Sequence, residues 1–207
     1  MANLEPLSSI GMFIDGGYLA KINEGLEEQI SMNIHMTSFF KFLRKKVAEA
    51  YSLDPDNCYI TENHYFRGRY RVYDANNKHL LFSERKFEDS LIENDVIFHY
   101  KHLREIQKNG NTTVIEKGVD VWFALEAFEL SLIRKFDFII LMTGDADHEM
   151  LAKKLKAIKV EVILLTWNVS DESATARLLQ DEAGYHLEIS ELIKENKNLL
   201  KEICKNV

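Results

Sequence analysis

Short apolar runs alternate with helical patterns along most of the chain. The run Phe138-Ile139-Ile140-Leu141-Met142 is apolar on both faces, which indicates a strand covered on both sides. Val160 to Leu165 is a second buried strand, and Ser9 to Asp15 is a shorter apolar strand. This alternation predicts a three-layer α/β fold with a mainly parallel sheet and flanking helices. We expect one domain over residues 1–207.

Helical spacing and capping residues fill the segments between these strands. Helices are predicted over residues 18–30, 36–50, 84–93 with Ser83 as N-cap, 119–134, 147–158, 172–183, and 190–204 with Ser190 as N-cap. Further strands are predicted over residues 58–66, 69–73, 96–100 and 186–189. Residues 74–77 are predicted to be a loop, and 96–100 to continue into a hairpin that turns at 108–111 and returns over 112–116.

Composition narrows the class of protein. A chain of 207 residues with 46% hydrophobic content can bury a large core without disulfides. The formal charge of −7 counts against a large non-specific nucleic-acid surface, although a local basic strip remains compatible with it. Two cysteines, Cys58 and Cys204, favour a reduced, cytoplasmic setting. The sequence has neither an apolar stretch near about 18 residues nor a signal-peptide pattern, so no membrane association is expected.

Four aspartates stand where this fold can bring them together. Asp15 and Asp145 follow two buried strands, Asp147 begins the next helix, and Asp120 lies in a first helical turn just after Gly118. If the first and fourth strands are neighbours, all four carboxylates meet at one edge of the sheet. At about 5 Å and an effective dielectric near 20, each pair repels by roughly 3 kcal/mol. Oxygen ligands and this repulsion favour Mg²⁺ or Mn²⁺, although each aspartate alone also fits a helix cap or a turn.

Basic residues supply candidate phosphate contacts. Arg67, Arg69 and Arg71 alternate, so an extended segment would place them on one face with Tyr65 and Tyr73. The alternative is a charged edge strand that discourages aggregation. A second basic group, with the same two interpretations, comprises His99, Lys101, His102 and Arg104. Lys117 either contacts a phosphate or is a solvated loop residue, and His148 either assists proton transfer or packs on its helix.

Three motifs together resemble a known family. They are Phe13-Ile14-Asp15-Gly16, Lys117-Gly118-Val119-Asp120-Val121, and Leu141 to His148 with Thr143-Gly144-Asp145-Ala146-Asp147 at its centre. Their order over about residues 10–192 resembles the NYN domain, the PIN-like nuclease branch that includes the LabA-type bacterial proteins. The resemblance implies a Rossmann-like PIN fold with strand order 3-2-1-4-5 and metal-dependent ribonuclease chemistry at the four aspartates.

The chain departs from the family pattern at three positions. Tyr18 stands where an asparagine is usual, and His148 where a phenylalanine is usual. Thr143 replaces the usual serine but keeps its hydroxyl, so we group it with Lys117 and the three arginines as substrate-binding candidates. The change at Tyr18 concerns substrate positioning rather than the metal site.

The sequence therefore predicts a Mg²⁺- or Mn²⁺-dependent endoribonuclease that hydrolyses RNA, with single-stranded RNA as the expected form. The alternative is a non-catalytic regulatory module that binds RNA or protein. A phosphatase with an aspartate nucleophile is disfavoured, because Gly16 and Gly17 follow Asp15 where such enzymes carry a second aspartate. Five apolar residues are expected to lie mostly in the core, and a part of this set could line the interface of a homodimer: Trp122, Phe123, Leu125, Phe128 and Leu130.

Overall fold

The computed structural model describes residues 7–71, 78–108, 111–170, 173 and 175–206. Its helices are α1 (Gly16–Ile30), α2 (Met36–Ala50), α3 (Lys78–Ile92), α4 (Val119–Arg134), α5 (Glu149–Ala157), α6 (Arg177–Glu182), α7 (Ile189–Glu195) and α8 (Asn198–Ile203). Its strands are β1 (Ser8–Asp15), β2 (Met32–Ile34), β3 (Cys58–Arg69), β4 (Val96–His102), β5 (Arg104–Lys108), β6 (Asn111–Ile115), β7 (Phe138–Met142), β8 (Glu161–Thr166), β9 (Tyr185–Glu188) and β10 (Cys204–Asn206).

The central sheet is parallel and has six strands. Their order is β4-β3-β1-β7-β8-β9, and each neighbouring pair is parallel. The mixed α/β, Rossmann-like class is therefore confirmed. The expected order 3-2-1-4-5 differs in detail, because β9 adds a sixth strand at the edge beyond β8. We expected the four aspartates to meet if the strands that precede Asp15 and Asp145 are neighbours. These strands are β1 and β7, and they are paired.

Helices cover the sheet on both faces, so β7 is apolar throughout. Phe138, Ile140 and Met142 enter the core beneath α1 and α2. Ile139 and Leu141 enter a second core with residues of α4, α5 and α6. All five side chains are buried. Each such side chain contributes roughly 1.5–3 kcal/mol through removal from water.

The central position of β1 determines where the site forms. Ile14 of β1 is in register with Met142 of β7, and Asp15 is in register with Phe66 of β3. The chain segments that leave β1, β3 and β7 therefore meet at one edge of the sheet. That edge, at the carboxyl ends of parallel strands, is where open α/β sheets place their ligand sites.

Several predicted helix boundaries were wrong. Helix α3 begins at Lys78, so Ser83 lies inside it; good helix formers upstream outweigh the capping preference of serine. Of the predicted helix over 172–183, the described residues form α6, Arg177–Glu182, while residues 172 and 174 lie outside the described part of the chain. Ser173 accepts hydrogen bonds at Oγ from the preceding loop. The last predicted helix is divided into α7 and α8. Glu188, not Ser190, caps α7, and Cys204 belongs to β10 because that segment pairs with β2.

Two strand predictions also change. β3 is one continuous strand to Arg69, and residues 72–77, including Tyr73 and the predicted loop, lie outside the described residues. The predicted hairpin exists, but it is a separate two-stranded sheet of β5 and β6 after Leu103, and the centre of its turn, residues 109–110, lies outside the described residues. Leu103 marks the break, because its N–H donates to the carbonyl of Arg69 at 3.0 Å.

Helix α4 is apolar on its outer face as well as its inner face. Phe123 is buried, whereas Val121, Leu125 and Leu132 are 63%, 64% and 51% exposed. Trp122, Phe128 and Leu130 pack partly against the core. The prediction that this set is mostly core is therefore correct, with Leu125 the exception. Within the described part of the chain, no helix is both long and apolar enough to cross a membrane.

Candidate active site at the carboxyl edge of the sheet

An open cleft of about 570 Å³ lies at the carboxyl edge of the sheet. It is lined by Asp15, Gly17, Tyr18, Lys21, Arg67, Gly68, Tyr70, Leu103, Val114, Glu116, Asp120, Gly144 and Asp145. Three of the four predicted aspartates therefore share this cleft. The residues come from β1, α1, the end of β3, the β5–β6 hairpin, α4 and the loop after β7. This volume suits a ligand of nucleotide size.

Asp15 is the innermost acid of the cleft. It ends β1 and caps α1, with Oδ1 accepting from the N–H of Gly17 at 2.9 Å and of Tyr18 at 3.1 Å. Its Oδ2 accepts from the Thr143 hydroxyl at 3.3 Å. Burial raises the pKa of Asp15, and the negative charge of Asp120 adds to this effect, while the backbone donors oppose it. A counter-charge would therefore stabilise its ionised form.

Thr143 and His148 hold the Asp15 carboxylate in place, Thr143 by a direct hydrogen bond and His148 through Thr143. Thr143 Oγ1 lies 3.1 Å from His148 Nδ1 and accepts from the Asp145 N–H at 3.2 Å. The hydroxyl has one proton, which it donates to Asp15, so we assign a proton to Nδ1 of His148, which then donates to Thr143 Oγ1. Both side chains are buried, and His148 packs against the Phe123 ring at 4.5 Å. His148 Nε2 is buried and has no hydrogen-bond partner among the described residues.

The other aspartates differ in their placement. Asp120, in the first turn of α4, and Asp145, after β7, are exposed and line the cleft. Asp147 is exposed but does not line it, and its N–H donates to Asp145 Oδ1 at 3.0 Å. Asp145 thus caps the 3₁₀ turn Ala146–His148, which orients its carboxylate. Asp147 lies beside this arrangement rather than within it.

Glu116 is an acid of the cleft that sequence reasoning missed. It follows β6, and its Oε2 accepts from the N–H of Gly68. Loss of solvation raises the pKa of Glu116; Asp15 and Asp120 raise it further, while the Gly68 N–H and Arg67 lower it. The Glu-Lys-Gly-Val-Asp run places Glu116 four residues before Asp120, and that proximity was the signal available.

Cations accompany these acids. Lys21 of α1, missed from the sequence, is exposed and lines the cleft together with Arg67. Arg69 instead lies 3.7 Å from Glu88 and 5.0 Å from the Tyr100 ring centre. The exposed Arg71 lies just past β3 and, like Arg69, is not among the cleft-lining residues. The predicted arginine row is thus divided: Arg67 lines the cleft, whereas Arg69 pairs with Glu88 of α3.

Tyr65, which the sequence grouped with those arginines, is buried and hence unable to stack on a base. The second basic group is divided in the same way. His99 is buried, stacks on Phe66 at 4.2 Å and hydrogen-bonds His64 at 3.0 Å; burial lowers the pKa of both imidazoles.

The remaining members of that group stay nearer the surface. His102 and Arg104 are exposed. Lys101 Nζ donates to the carbonyl of Gly118 at 3.3 Å. Lys117 is exposed but does not line the cleft.

Tyr18 has a structural role. Its ring is 5% exposed, and its hydroxyl accepts from the Trp167 N–H at 3.0 Å and donates to the Ser173 carbonyl at 3.1 Å. It therefore connects the start of α1 to the loop after β8. Asparagine is usual at this position in the family pattern. Tyr18 fits beside Asp15 because its hydroxyl is held by these backbone groups and does not enter the cleft.

The donor set of the cleft fits a hard divalent cation in its chemistry. Asp15, Glu116, Asp120 and Asp145 present only carboxylate oxygens, the ligands that Mg²⁺ and Mn²⁺ prefer. Burial is the main cause of the raised pKa values of Asp15 and Glu116. Asp120 raises both further, and Asp15 also raises that of Glu116, a repulsion that a cation would relieve. Among the described residues, however, no three His, Cys, Asp or Glu side chains are already arranged to hold one ion. The acids face the same cleft without forming a closed coordination shell.

Comparison with known families decides the relationship. The family profile of the NYN domain matches residues 9–190, which include Asp15, Asp120, Asp145 and Asp147. The chain belongs to the NYN domain family. Domains of this family are nuclease-like modules that bind RNA. The resemblance inferred from the three sequence motifs is thereby confirmed.

One relative and one solved structure are similar to this NYN domain in different ways. "Low amplitude and bright protein LabA" of Synechococcus elongatus is 23% identical over 111 residues, which cover 53% of this chain and 56% of that protein. The matched region thus spans little more than half of the relative. A crystal structure of a protein of unknown function from Vibrio parahaemolyticus has a TM-score of 0.59 at 16% identity, covering 89% of this chain and 94% of that one. At this identity the structural likeness supports the fold alone.

Proposed function

We propose that this NYN domain is a metal-dependent endoribonuclease that hydrolyses phosphodiester bonds in single-stranded RNA. The observation that carries the proposal is the convergence of Asp15, Glu116, Asp120 and Asp145 on one cleft that also contains Lys21 and Arg67. Acids alone would repel a phosphate, so a cleft built for RNA needs both a cation and basic side chains. The four carboxylates would hold Mg²⁺ or Mn²⁺.

The side chains divide the work of the proposed reaction. Lys21 and Arg67 bind the non-bridging oxygens of the scissile phosphate, and Arg67 offers a planar fork for this purpose. Thr143 holds the carboxylate of Asp15 in one orientation, and the N–H groups of Gly17 and Tyr18 hold its other oxygen. A bound Mg²⁺ or Mn²⁺ would supply charge neutralisation at the phosphate and a more acidic water. Four predicted site residues do not line the cleft, and the proposal places them beside it without a direct role at the scissile phosphate: Lys117, Arg69, Arg71 and Asp147.

Cleavage of a labelled single-stranded RNA tests the proposal. Purified protein is expected to cut the RNA internally with Mn²⁺ or Mg²⁺ and to stop when EDTA is added. Asp15→Asn and Asp145→Asn should each lower the rate by at least about 100-fold, since each removes a charge from the cleft. Asp137→Asn serves as a matched control, because Asp137 caps the opposite end of β1 through Ser9. Equal rates for wild type and both cleft variants would refute the assignment.

A non-catalytic module that binds RNA or a protein is the second candidate. It is favoured by the lack of a ready three-ligand group among the described residues and by Tyr18, whose hydroxyl is committed to the backbone. Such a module would bind RNA equally well with Mn²⁺ and with EDTA. It would also leave the RNA intact after long incubation, whereas a ribonuclease would shorten it.

Three further parts of the proposal concern the whole protein. One domain spans residues 1–207. It works in the cytoplasm, in keeping with the buried free thiols of Cys58 and Cys204.

The protein pairs as a homodimer through the outer face of α4. The apolar residues of this face are spaced by four, three and four positions: Val121, Leu125, Phe128 and Leu132. That order reads the same in both directions, so two antiparallel copies of α4 match each other across a two-fold axis.

A further inference from the structure

The cleft has an apolar side that the proposed chemistry does not use. Part of its wall consists of Tyr70, Leu103 and Val114. We call these three residues the apolar shelf. Tyr70 is 37% exposed and Val114 is 36% exposed, so both keep apolar surface in contact with water. Tyr70 has neither a hydrogen bond nor a ring contact to any other residue in the described part of the chain.

The fold holds the apolar shelf in place. Val114 and Glu116 are two positions apart around the end of β6, so both face the cleft. Leu103 is fixed to the end of β3 by its N–H bond to the Arg69 carbonyl at 3.0 Å. Gly68 leaves room for this arrangement, because a side chain there would overlap Leu103 and Glu116. The hairpin thus carries an acid and an apolar residue side by side.

An exposed aromatic ring beside phosphate-binding cations suits a nucleic-acid base. Lys21 and Arg67 line the same cleft as Tyr70, so a ligand that reaches all three combines an anionic group with a flat apolar one. Bases of single strands are bound in this way by stacking on aromatic side chains. A cleft of about 570 Å³ is large enough for one nucleotide unit.

We propose that the apolar shelf binds one unstacked base of the RNA whose phosphate lies among Lys21, Arg67 and the carboxylates. The inference rests on the proposed function and adds the subsite that selects single strands. The base stacks on the Tyr70 ring, while Leu103 and Val114 exclude water from its edge. Because every base has a flat face, the subsite favours purines over pyrimidines only through their larger stacking area.

Fluorescence anisotropy with labelled ten-nucleotide oligoadenylate and oligouridylate tests the subsite in calcium buffer. Tyr70→Ala should weaken oligoadenylate binding roughly tenfold and reduce the preference over oligouridylate. Tyr70→Phe and Tyr70→Trp keep a ring and should bind as the wild type does. Tyr59→Ala is the matched control, since Tyr59 is 44% exposed on β3 but lies outside the cleft. The duplex of the two oligonucleotides should bind more weakly and respond little to Tyr70→Ala.

The outcomes separate the subsite from the chemistry. If Tyr70→Ala binds oligoadenylate within twofold of the wild type, or loses duplex binding to the same degree, the base subsite is refuted. If that happens while Mn²⁺-dependent cleavage still requires Asp15, the ribonuclease proposal stands without it. A wild-type protein that binds neither oligonucleotide refutes both proposals.

Discussion

Thr143 links three groups of the site through one hydroxyl. Its hydroxyl donates to Asp15, accepts from the backbone of Asp145 and contacts His148, all within a buried environment. A single proton therefore sets the direction of three hydrogen bonds. Removing the hydroxyl leaves a carboxylate oxygen and an imidazole nitrogen without a partner, which is costly in a buried site.

Replacing Thr143 by valine should lower the free energy of unfolding by about 1–3 kcal/mol, since buried polar groups lose their partner. Thr143→Ser keeps the hydroxyl and loses one methyl group, so a loss of about 1 kcal/mol is expected. Urea denaturation of both variants gives the comparison. A serine variant less stable than the valine variant would show that packing, not the hydroxyl, matters here.

Glu116 offers a second test, based on pH. Its pKa is raised in the folded protein, so the native state holds its proton to higher pH than the unfolded chain does. Stability is therefore lost as pH rises above the ordinary glutamate range. Glu116→Gln should raise Tm at pH 7.5, and this gain should shrink as pH falls towards 4.5.

Thermal unfolding of wild type and Glu116→Gln at several pH values checks this sign. With added Mn²⁺, the wild type should gain more Tm than the variant, because it has one more carboxylate in the cleft. Glu191→Gln is the control and should change neither result, since Glu191 is an exposed residue of α7 that pairs with Lys194. A lower Tm for Glu116→Gln at pH 7.5 would contradict the raised pKa of Glu116 in the folded protein.

At the scale of elements, the β1–α1 junction determines the geometry of the site. Asp15 is both the last residue of β1 and the cap of α1, and two glycines follow it. A Cβ at Gly16 would lie 2.6 Å from Tyr65 Cζ and 2.7 Å from the Phe66 carbonyl. A Cβ at Gly17 would approach only Asp15 Oδ1, at 3.2 Å. The first glycine therefore allows close packing on β3, while the second is far less confined.

We expect Gly16→Ala to lower the free energy of unfolding by about 1–3 kcal/mol, because a rigid backbone oxygen blocks the new methyl group. Gly17→Ala should stay within about 1 kcal/mol of the wild type. Urea denaturation measures both. Equal losses for the two variants would show that the closeness of β3 to Gly16 is unimportant.

At the scale of the whole molecule, contacts within one chain do not explain why the outer face of α4 is apolar although it is exposed. A helix that is apolar on both faces is normally buried on both. Exposed apolar residues that form a continuous face mark interfaces more often than isolated ones do. The two-fold arrangement proposed for α4 would cover this face with its own copy.

Sedimentation velocity tests that arrangement. The wild type is expected to sediment as a dimer and Leu125→Asp as a monomer, because a charge in the centre of an apolar interface is unfavourable. Leu178→Asp is the matched control, since Leu178 is 61% exposed but lies on α6. A monomeric wild type, or a Leu125→Asp variant that remains dimeric, would refute the interface.

The sequence predicted those parts of the fold that depend on local periodicity. Helix α4 and strand β7 agree with their predicted bounds, since each has a strong pattern and clear ends. Gly118, which immediately precedes α4, has a φ of 77°, a left-handed conformation that glycine adopts readily. Predictions failed where pairing with a distant segment decided the structure. Cys204 was predicted to end a helix but lies in β10, because it pairs with Ile34 of β2.

The same division applies to the site. Asp15 and Asp145 were predictable because they follow buried strands, and strand ends in a parallel sheet share an edge. The sequence also determined the family, through motifs that need only local order. Glu116, Lys21 and Tyr70 join the cleft only through the placement of the hairpin, α1 and the end of β3. The tertiary structure decided their roles, because side-chain proximity across separate elements depends on packing and crossings that no local period encodes.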